Sequence, residues 1–262
     1  MKIEGSVIVL TGAAGGIGQP LAKALAAQGA RMLLVDRDQQ ALEQLKHSIP
    51  QTGQVEIFAV DLLDSSARQT LLTALQQMTP AVDMLINVAG LLSFCAFEQE
   101  DQARIEAIMT LNSIVPMQLT RALLASMLKR DSGHIINIGS TFGSIGFAYF
   151  ASYSASKFAM RGFSESLRRE LQDTAVKVSY IAPRAVKTAL NTDRVYAMGE
   201  ATGMNMDEPA WVADQVVKAI IDDSKNRYLG FPEKLFVRIN AILPGLVDKA
   251  LAAQNRVMAK FV

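Results

Sequence analysis

Short, uninterrupted apolar runs alternate along this chain with longer stretches in which apolar residues recur every three or four positions. Residues 7–10, 32–35, 55–60, 84–88, 134–138 and 177–181 predict strands, most of them apolar on both faces. A strand has that pattern when helices cover both sides of its sheet. Residues 228–229 predict a short seventh strand. Between the strands, residues 19–28, 39–49, 65–78, 101–130, 152–172 and 209–222 predict helices. Gly29 follows the first as a left-handed cap residue. Asp207-Glu208-Pro209 opens the last with an acidic turn and a proline. This alternation predicts a single α/β domain over residues 1–262: a Rossmann-type, doubly wound parallel sheet of about seven strands with helices on both faces. No repeat or low-complexity tract marks a boundary within it.

Half of the 262 residues are hydrophobic, and 26 basic residues nearly balance 25 acidic ones. That balance gives no reason to expect nucleic acid as a partner. Cys95 is the one cysteine, so an intrachain disulfide and a thiolate cluster are both excluded, and His47 and His134 are too few for a metal site. No stretch has the length and apolarity of a membrane span, and the N-terminal run lacks a signal-peptide core. The expected compartment is the reducing cytoplasm.

The first strand leads into Thr11-Gly12-Ala13-Ala14-Gly15-Gly16-Ile17-Gly18, and then a helix begins. A tight strand-to-helix turn needs glycine, and a pyrophosphate must approach bare backbone N–H groups at a helix N-terminus. Gly12, Gly16 and Gly18 give the spacing TGxxxGxG rather than GxGxxG. Asp36 ends the second strand, 18 residues beyond Gly18. A carboxylate there accepts hydrogen bonds from ribose hydroxyls and repels a 2′-phosphate, which favours NAD over NADP. Arg37 beside it would serve a 2′-phosphate, so NADP stays open.

Tyr153 and Lys157 stand four residues apart in a predicted helix and therefore share a face. A free tyrosine is too weakly acidic to act as a base at neutral pH, and a nearby ammonium lowers its pKa.

Together these features resemble the short-chain dehydrogenase/reductase family, in its shorter single-domain branch. The resemblance runs from Val7 to about Tyr228. It takes in the cofactor turn (residues 11–18, Ile17 included), Asp61-Leu62 after the third strand, and Asn87-Val88-Ala89-Gly90 after the fourth. It continues through Asn112, Ser140, Tyr153 and Lys157, with a Ser-to-Tyr gap of 13 residues. The resemblance implies an NAD(P)-dependent oxidoreductase acting on a hydroxyl or carbonyl group, in which the protein positions and the cofactor carries hydride. Tyr153 would be the general acid/base. Lys157 would lower its pKa and hold the nicotinamide ribose. Ser140 would orient the substrate oxygen, and Asn112 would hold a relay water. Read alone, Asn112 could cap or kink its helix and Ser140 could be a turn residue. The resemblance further assigns Asp61 and Leu62 to the adenine, Asn87, Ala89 and Gly90 to the fourth-strand turn, and Pro183, Val186 and Thr188 to the nicotinamide end.

Two positions depart from the family pattern. Val88 replaces an asparagine, a change expected to alter packing. Arg184 replaces the glycine that usually follows Pro183, where left-handed backbone would be disfavoured. Its side chain either points to solvent or recognises an anionic group on the substrate.

The family closes its substrate pocket with the segment after Thr188. Residues 189–208 show no strong periodicity here and predict a mobile lid, with Met198, Met204 and Met206 as an adaptable apolar surface. Phe142, Phe147, Tyr149 and Phe150 would add an aromatic wall, so a bulky apolar alcohol or ketone is the expected substrate. The extension over residues 226–262 carries six basic and two acidic residues, net +4 against −3 for the remainder. It could contact a membrane surface, cover the substrate pocket, or meet a neighbouring subunit. A homodimer or homotetramer is expected. The alternatives to a soluble dehydrogenase are a catalytically silent NAD(H)-binding regulator and a membrane-surface reductase of lipid-like carbonyls.

Overall fold

The computed structural model describes residues 2–50 and 54–262. The strands β1 (Val7–Thr11), β2 (Arg31–Asp36), β3 (Val55–Ala59), β4 (Met84–Asn87), β5 (Gly133–Ile138) and β6 (Val176–Ala182) alternate with helices. The two-residue strands β7 (Ala185–Val186) and β8 (Met206–Asp207) pair only with each other, and β9 (Asn226–Tyr228) closes the main sheet. That sheet has seven parallel strands in the order β3-β2-β1-β4-β5-β6-β9, as the apolar runs foretold. Strand order reverses between β1 and β4, so a crevice opens beyond their carboxyl ends.

Alternate strand residues feed two apolar layers. Ile8, Leu10 and Met32 pack with Leu21 and Leu25 of α1 (Gly18–Ala27), Leu42 of α2 (Gln39–Ser48) and Val216 of α8 (Pro209–Ile221). Val9, Val35 and Ile135 pack on the other side with Leu71 of α3 (Ser65–Gln77), Leu119 of α5 (Val115–Lys129) and Leu167 of α6 (Ala151–Glu170). Burial on both faces explains the continuous apolar runs of the strands. Asp38 and Asp64 start α2 and α3 by accepting hydrogen bonds from the first-turn N–H groups of Ala41, Ser66 and Ala67.

Two segments differ from the sequence expectation. The long helix over residues 101–130 is two helices, α4 (Gln102–Met109) and α5, joined by five π-helical residues, Thr110–Ile114. Pro116 lies four residues beyond Asn112 and has no N–H for that carbonyl, which removes an α-helical bond at the irregularity. The expected mobile lid is built around a capped helix, α7 (Asp193–Thr202). The Thr192 hydroxyl accepts from the Val195 N–H, Gly203 terminates the helix at φ +64°, and Val195 and Met198 are buried.

The C-terminal extension forms α9 (Glu233–Ile242) and α10 (Pro244–Met258), which pack on each other. Val237 and Val247 anchor them against Ile145, and Met258 reaches Phe150 and Met198.

Candidate active site

The turn after β1 is shaped by three glycines with different tasks. Gly12 adopts φ +66°, and a Cβ there would lie 2.7 Å from the Ala89 nitrogen. A Cβ on Gly18 would lie 2.0 Å from the Gly12 carbonyl oxygen, so Gly18 is required by the turn itself. A Cβ on Gly16 would meet Thr188, 2.4 Å from Cγ2 and 2.7 Å from Cβ. The Thr11 hydroxyl accepts from the Val88 and Ala89 N–H groups at 3.1 and 3.3 Å and ties the turn to the end of β4. No side chain caps the N-terminus of α1; Gln19 N–H already donates to the Gly15 carbonyl and Pro20 has no N–H, so Ile17 and Gly18 carry the N–H groups there that an anionic ligand would meet.

These residues line a cleft of about 300 Å³ at the β1/β4 crevice. Gly12, Gly16, Ile17, Asp36, Arg37, Asp61, Leu62, Ala89, Gly90 and Thr188 all face it. The Asp36 carboxylate accepts from the Ala14 N–H at 3.1 Å and from the Arg37 N–H at 2.8 Å, so it holds the glycine turn as well as facing the cleft. Asn87 is not on the cleft wall. It is buried, its Nδ2 donating to Asn137 Oδ1 at 2.8 Å, and it ties β4 to β5. Gly18 likewise lies behind the wall.

A second cavity of about 110 Å³ adjoins the cleft; Ile17, Val88, Gly90, Thr188 and Leu190 line both. Ser140, Tyr153, Lys157, Pro183 and Val186 line this inner cavity. The structure thus brings together Ser140, Tyr153 and Lys157 from two elements, the end of β5 and α6. Phe142 meets Tyr153 edge-on, with ring centroids 5.9 Å apart, and stacks on Phe147 at 4.3 Å. Phe94 stacks on Phe150 at 4.8 Å. The cavity lining is therefore aromatic at Phe142, Phe150 and Tyr153 and polar at Ser140, Lys157 and Asn191.

Lys157 is buried, with Nζ donating to the Ile138 carbonyl at 3.0 Å and lying 5.7 Å from the Tyr153 ring centroid. Burial pushes Lys157 down to about 8 and Tyr153 up to about 12; the neighbouring Ser140 hydroxyl opposes the tyrosine shift in part. The expected lowering of Tyr153 by Lys157 does not appear in this structure: the Ser140 hydroxyl is what opposes desolvation there. The groove beside them fits a nicotinamide dinucleotide: a glycine cradle with free N–H groups, a carboxylate at the end of β2, and a bare approach to Tyr153.

Asn112 is buried, and its side chain is fully engaged. Oδ1 accepts from the Leu91 N–H at 2.7 Å, and Nδ2 donates to the Leu91 carbonyl and to Ser156 Oγ, both at 2.9 Å. A relay water would have to use its backbone carbonyl, the group that Pro116 leaves without an α-helical donor. Ser156 Oγ in turn donates to the Tyr153 carbonyl at 2.7 Å, so Asn112 fixes the Tyr153 turn through Ser156.

The sequence reading missed Tyr180. It is fully buried on β6, and its hydroxyl donates to the Ser140 carbonyl at 3.1 Å. A Cβ on Gly139 or Gly143 would strike its ring or hydroxyl, at 2.1 and 2.5 Å respectively. The two glycines beside Ser140 were the available signal. Arg184 does not simply point to solvent, as one expectation had it. Its guanidinium is held by Asp207 at 2.7 Å and Glu233 at 3.2 Å, while the residue also lines the inner cavity. Its backbone is not left-handed, since Asp131, Tyr149 and Asp223 are the non-glycine residues with positive φ among those described.

A family profile described as short chain dehydrogenase matches residues 6–198 of this chain. Mouse "Dehydrogenase/reductase SDR family member 7B" is 32% identical over 97% of this chain and 82% of its own. "Ketoacyl reductase HetN" of a Nostoc species is also 32% identical, over 94% of this chain and 88% of its own. A crystal structure of a metagenomic short-chain oxidoreductase in complex with NADP superposes with a TM-score of 0.73 at 31% identity, covering 87% of this chain and 97% of that one.

Proposed function

The chain belongs to the short-chain dehydrogenase family, and from that premise we propose that it is an oxidoreductase transferring hydride between a nicotinamide dinucleotide and a hydroxyl or carbonyl substrate. The observation that carries this reading is the convergence of Ser140, Tyr153 and Lys157 on a cavity continuous with the glycine-turned cleft. The dinucleotide supplies the hydride acceptor or donor. Gly12, Gly16 and the open N-terminus of α1 hold its phosphates, Asp36 its adenosine ribose, and Thr188 and Val186 its nicotinamide end. Tyr153 gives a proton to the substrate oxygen in reduction and takes it back in oxidation, while Ser140 hydrogen-bonds the same oxygen. The Lys157 cation favours the phenolate form of Tyr153.

Asp36 supports NAD, although Arg37 faces the same cleft and the metagenomic relative binds NADP. The aromatic wall of Phe142 and Phe150, with Leu92, Val195 and Met204, supports an apolar alcohol or ketone. At about 110 Å³ the inner cavity accommodates the reacting group and one modest substituent; a bulky substrate requires α7 to move outward. Exposed Ile114, Leu128 and Phe158 on the α5 and α6 side support a homo-oligomer.

The test is fluorescence titration with NADH and NADPH, followed by turnover of a panel of apolar ketones and alcohols. The account predicts tighter NADH binding and turnover of apolar members. Tighter NADPH binding would overturn the role given to Asp36, and dinucleotide binding without turnover of any compound would favour a catalytically silent regulator.

A further inference from the structure

We propose that α9 and α10 form a docking element for anionic phospholipid bilayers. Fourteen large apolar side chains are well exposed among the described residues, and six of them, Phe231, Leu235, Phe236, Ile242, Leu243 and Leu246, fall in the 16 residues from 231 to 246. Residues 241–246, which turn the chain from α9 into α10, are exposed without interruption. Ile242 is 77% exposed, against 5% for Val237 on the inner side of α9. Leu235, Phe236 and Ile242 recur at i, i+1 and i+7, so one stripe of α9 carries them, and Leu243 follows at its C-cap. This helix is amphipathic in the reverse sense for a core helix: its widest apolar stripe faces outward.

The charges around the stripe are predominantly basic. Lys234, Arg238, Lys249 and Lys260 are exposed, and none forms an ion pair among the described residues. Of the two acidic residues in the extension, Glu233 is bound by Arg184 and Asn205, leaving Asp248. The extension is thus a cationic, apolar surface on a body of net negative charge. A symmetric contact with a second copy would press the cationic patch against itself. A bilayer with anionic headgroups satisfies both parts: the turn and the α9 stripe enter the headgroup and acyl boundary, and the lysines and arginine meet phosphates. The mode is peripheral, since no helix among the described residues is long and apolar enough to cross a membrane. Val237, Val247 and Met258 fasten the element to the body, so it is a fixed surface and not a loose tail.

The proposal is independent of the reaction, and its test needs no substrate. The full chain is sedimented with vesicles of phosphatidylcholine alone or with phosphatidylserine added, at two salt concentrations. Binding is expected to the phosphatidylserine vesicles and to weaken with salt. Leu243→Glu/Leu246→Glu should lower the bound fraction at least about tenfold, and Lys234→Gln/Arg238→Gln/Lys249→Gln should abolish the preference for phosphatidylserine. Circular dichroism melting confirms that both variants fold. Failure of the wild type to bind phosphatidylserine vesicles overturns the proposal, as does binding that neither variant alters. If Leu243→Glu/Leu246→Glu instead dissociates an oligomer in solution and no vesicle binding is found, the surface belongs to a second copy of the chain.

Discussion

The Lys157 ammonium lies 5.7 Å from the centre of the Tyr153 ring, and both groups sit where burial disfavours their charged forms. The buried ammonium is costly for the fold, and the proposed reaction makes use of it. Lys157 has a folded pKa of about 8 against 10.5 in the unfolded chain. Below pH 8 it is charged in both states, and its burial opposes folding; between pH 8 and about 10 the unfolded chain holds the extra proton, so stability rises with pH. Lys157→Met should therefore be more stable than the wild type at pH 7, by roughly 2–4 kcal/mol, and lose that rise. Its kcat/KM should fall about 100-fold or more. Denaturant melts at pH 7 and pH 9.5, together with steady-state rates, check both halves.

Gly16 and Thr188 meet across the mouth of the cleft. Gly16→Ala places a Cβ 2.4 Å from Thr188 Cγ2 and 2.7 Å from its Cβ, so Thr188 and its loop must shift while the rest of the fold is untouched. Dinucleotide affinity should drop about tenfold as Thr188 is displaced. Thr188→Ser removes that methyl while keeping the hydroxyl and the Cβ, and the double variant should recover part of the loss. Fluorescence titration of the four proteins measures the coupling; additive effects would deny the contact its role.

Arg184 is the hub that fastens β8 and α9 to the floor of the active site. Its side chain and that of Asp207 are 18% and 9% exposed. Arg184→Gly leaves Asp207 without its charged partner, and stability should fall by roughly 2–4 kcal/mol. Since β8 follows α7 directly, KM for an apolar ketone should rise more than kcat falls. Thermal melts and Michaelis–Menten curves separate this from recognition of an anionic substrate, in which case the KM effect would vanish with uncharged substrates.

His134 is fully buried between β5 and β6, with Nε2 against Ser179 Oγ at 2.8 Å and Nδ1 unpartnered among the described residues. Burial holds the imidazole at about 4, below its usual 6.5. Between these values the unfolded chain binds a proton that the folded one refuses, so stability falls as pH drops from 6.5 to 4, by about 3 kcal/mol from this residue. The slope of unfolding free energy against pH should be shallower in His134→Leu over that window, whatever its offset at pH 7.

The sheet was readable because each strand is buried on both faces and so appears as an apolar run; β1 to β6 were each placed to within one or two residues. The helix α7 was not, because only Val195, Met198 and Gly199 of its ten residues are buried and no stripe emerges. Its caps, Thr192 and Gly203, were the better signal. The candidate site was readable where its geometry depends on local spacing, as in the glycine turn and in Tyr153 with Lys157. It was hidden where partners are far apart in sequence: Tyr180 lies 40 residues from Ser140, and Glu233 lies 49 from Arg184. The break at Asn112 left no trace in the apolar pattern, though Pro116 marked its place.

The central claim is that Tyr153 moves the proton that accompanies hydride transfer. Its most direct test is Tyr153→Phe, assayed for dinucleotide affinity by fluorescence and for turnover of an apolar ketone under saturating dinucleotide. The variant should bind the dinucleotide within about threefold of the wild type and lose 100-fold or more in kcat. Turnover within a few-fold of the wild type would show that another group handles the proton and would remove Tyr153 from the reaction.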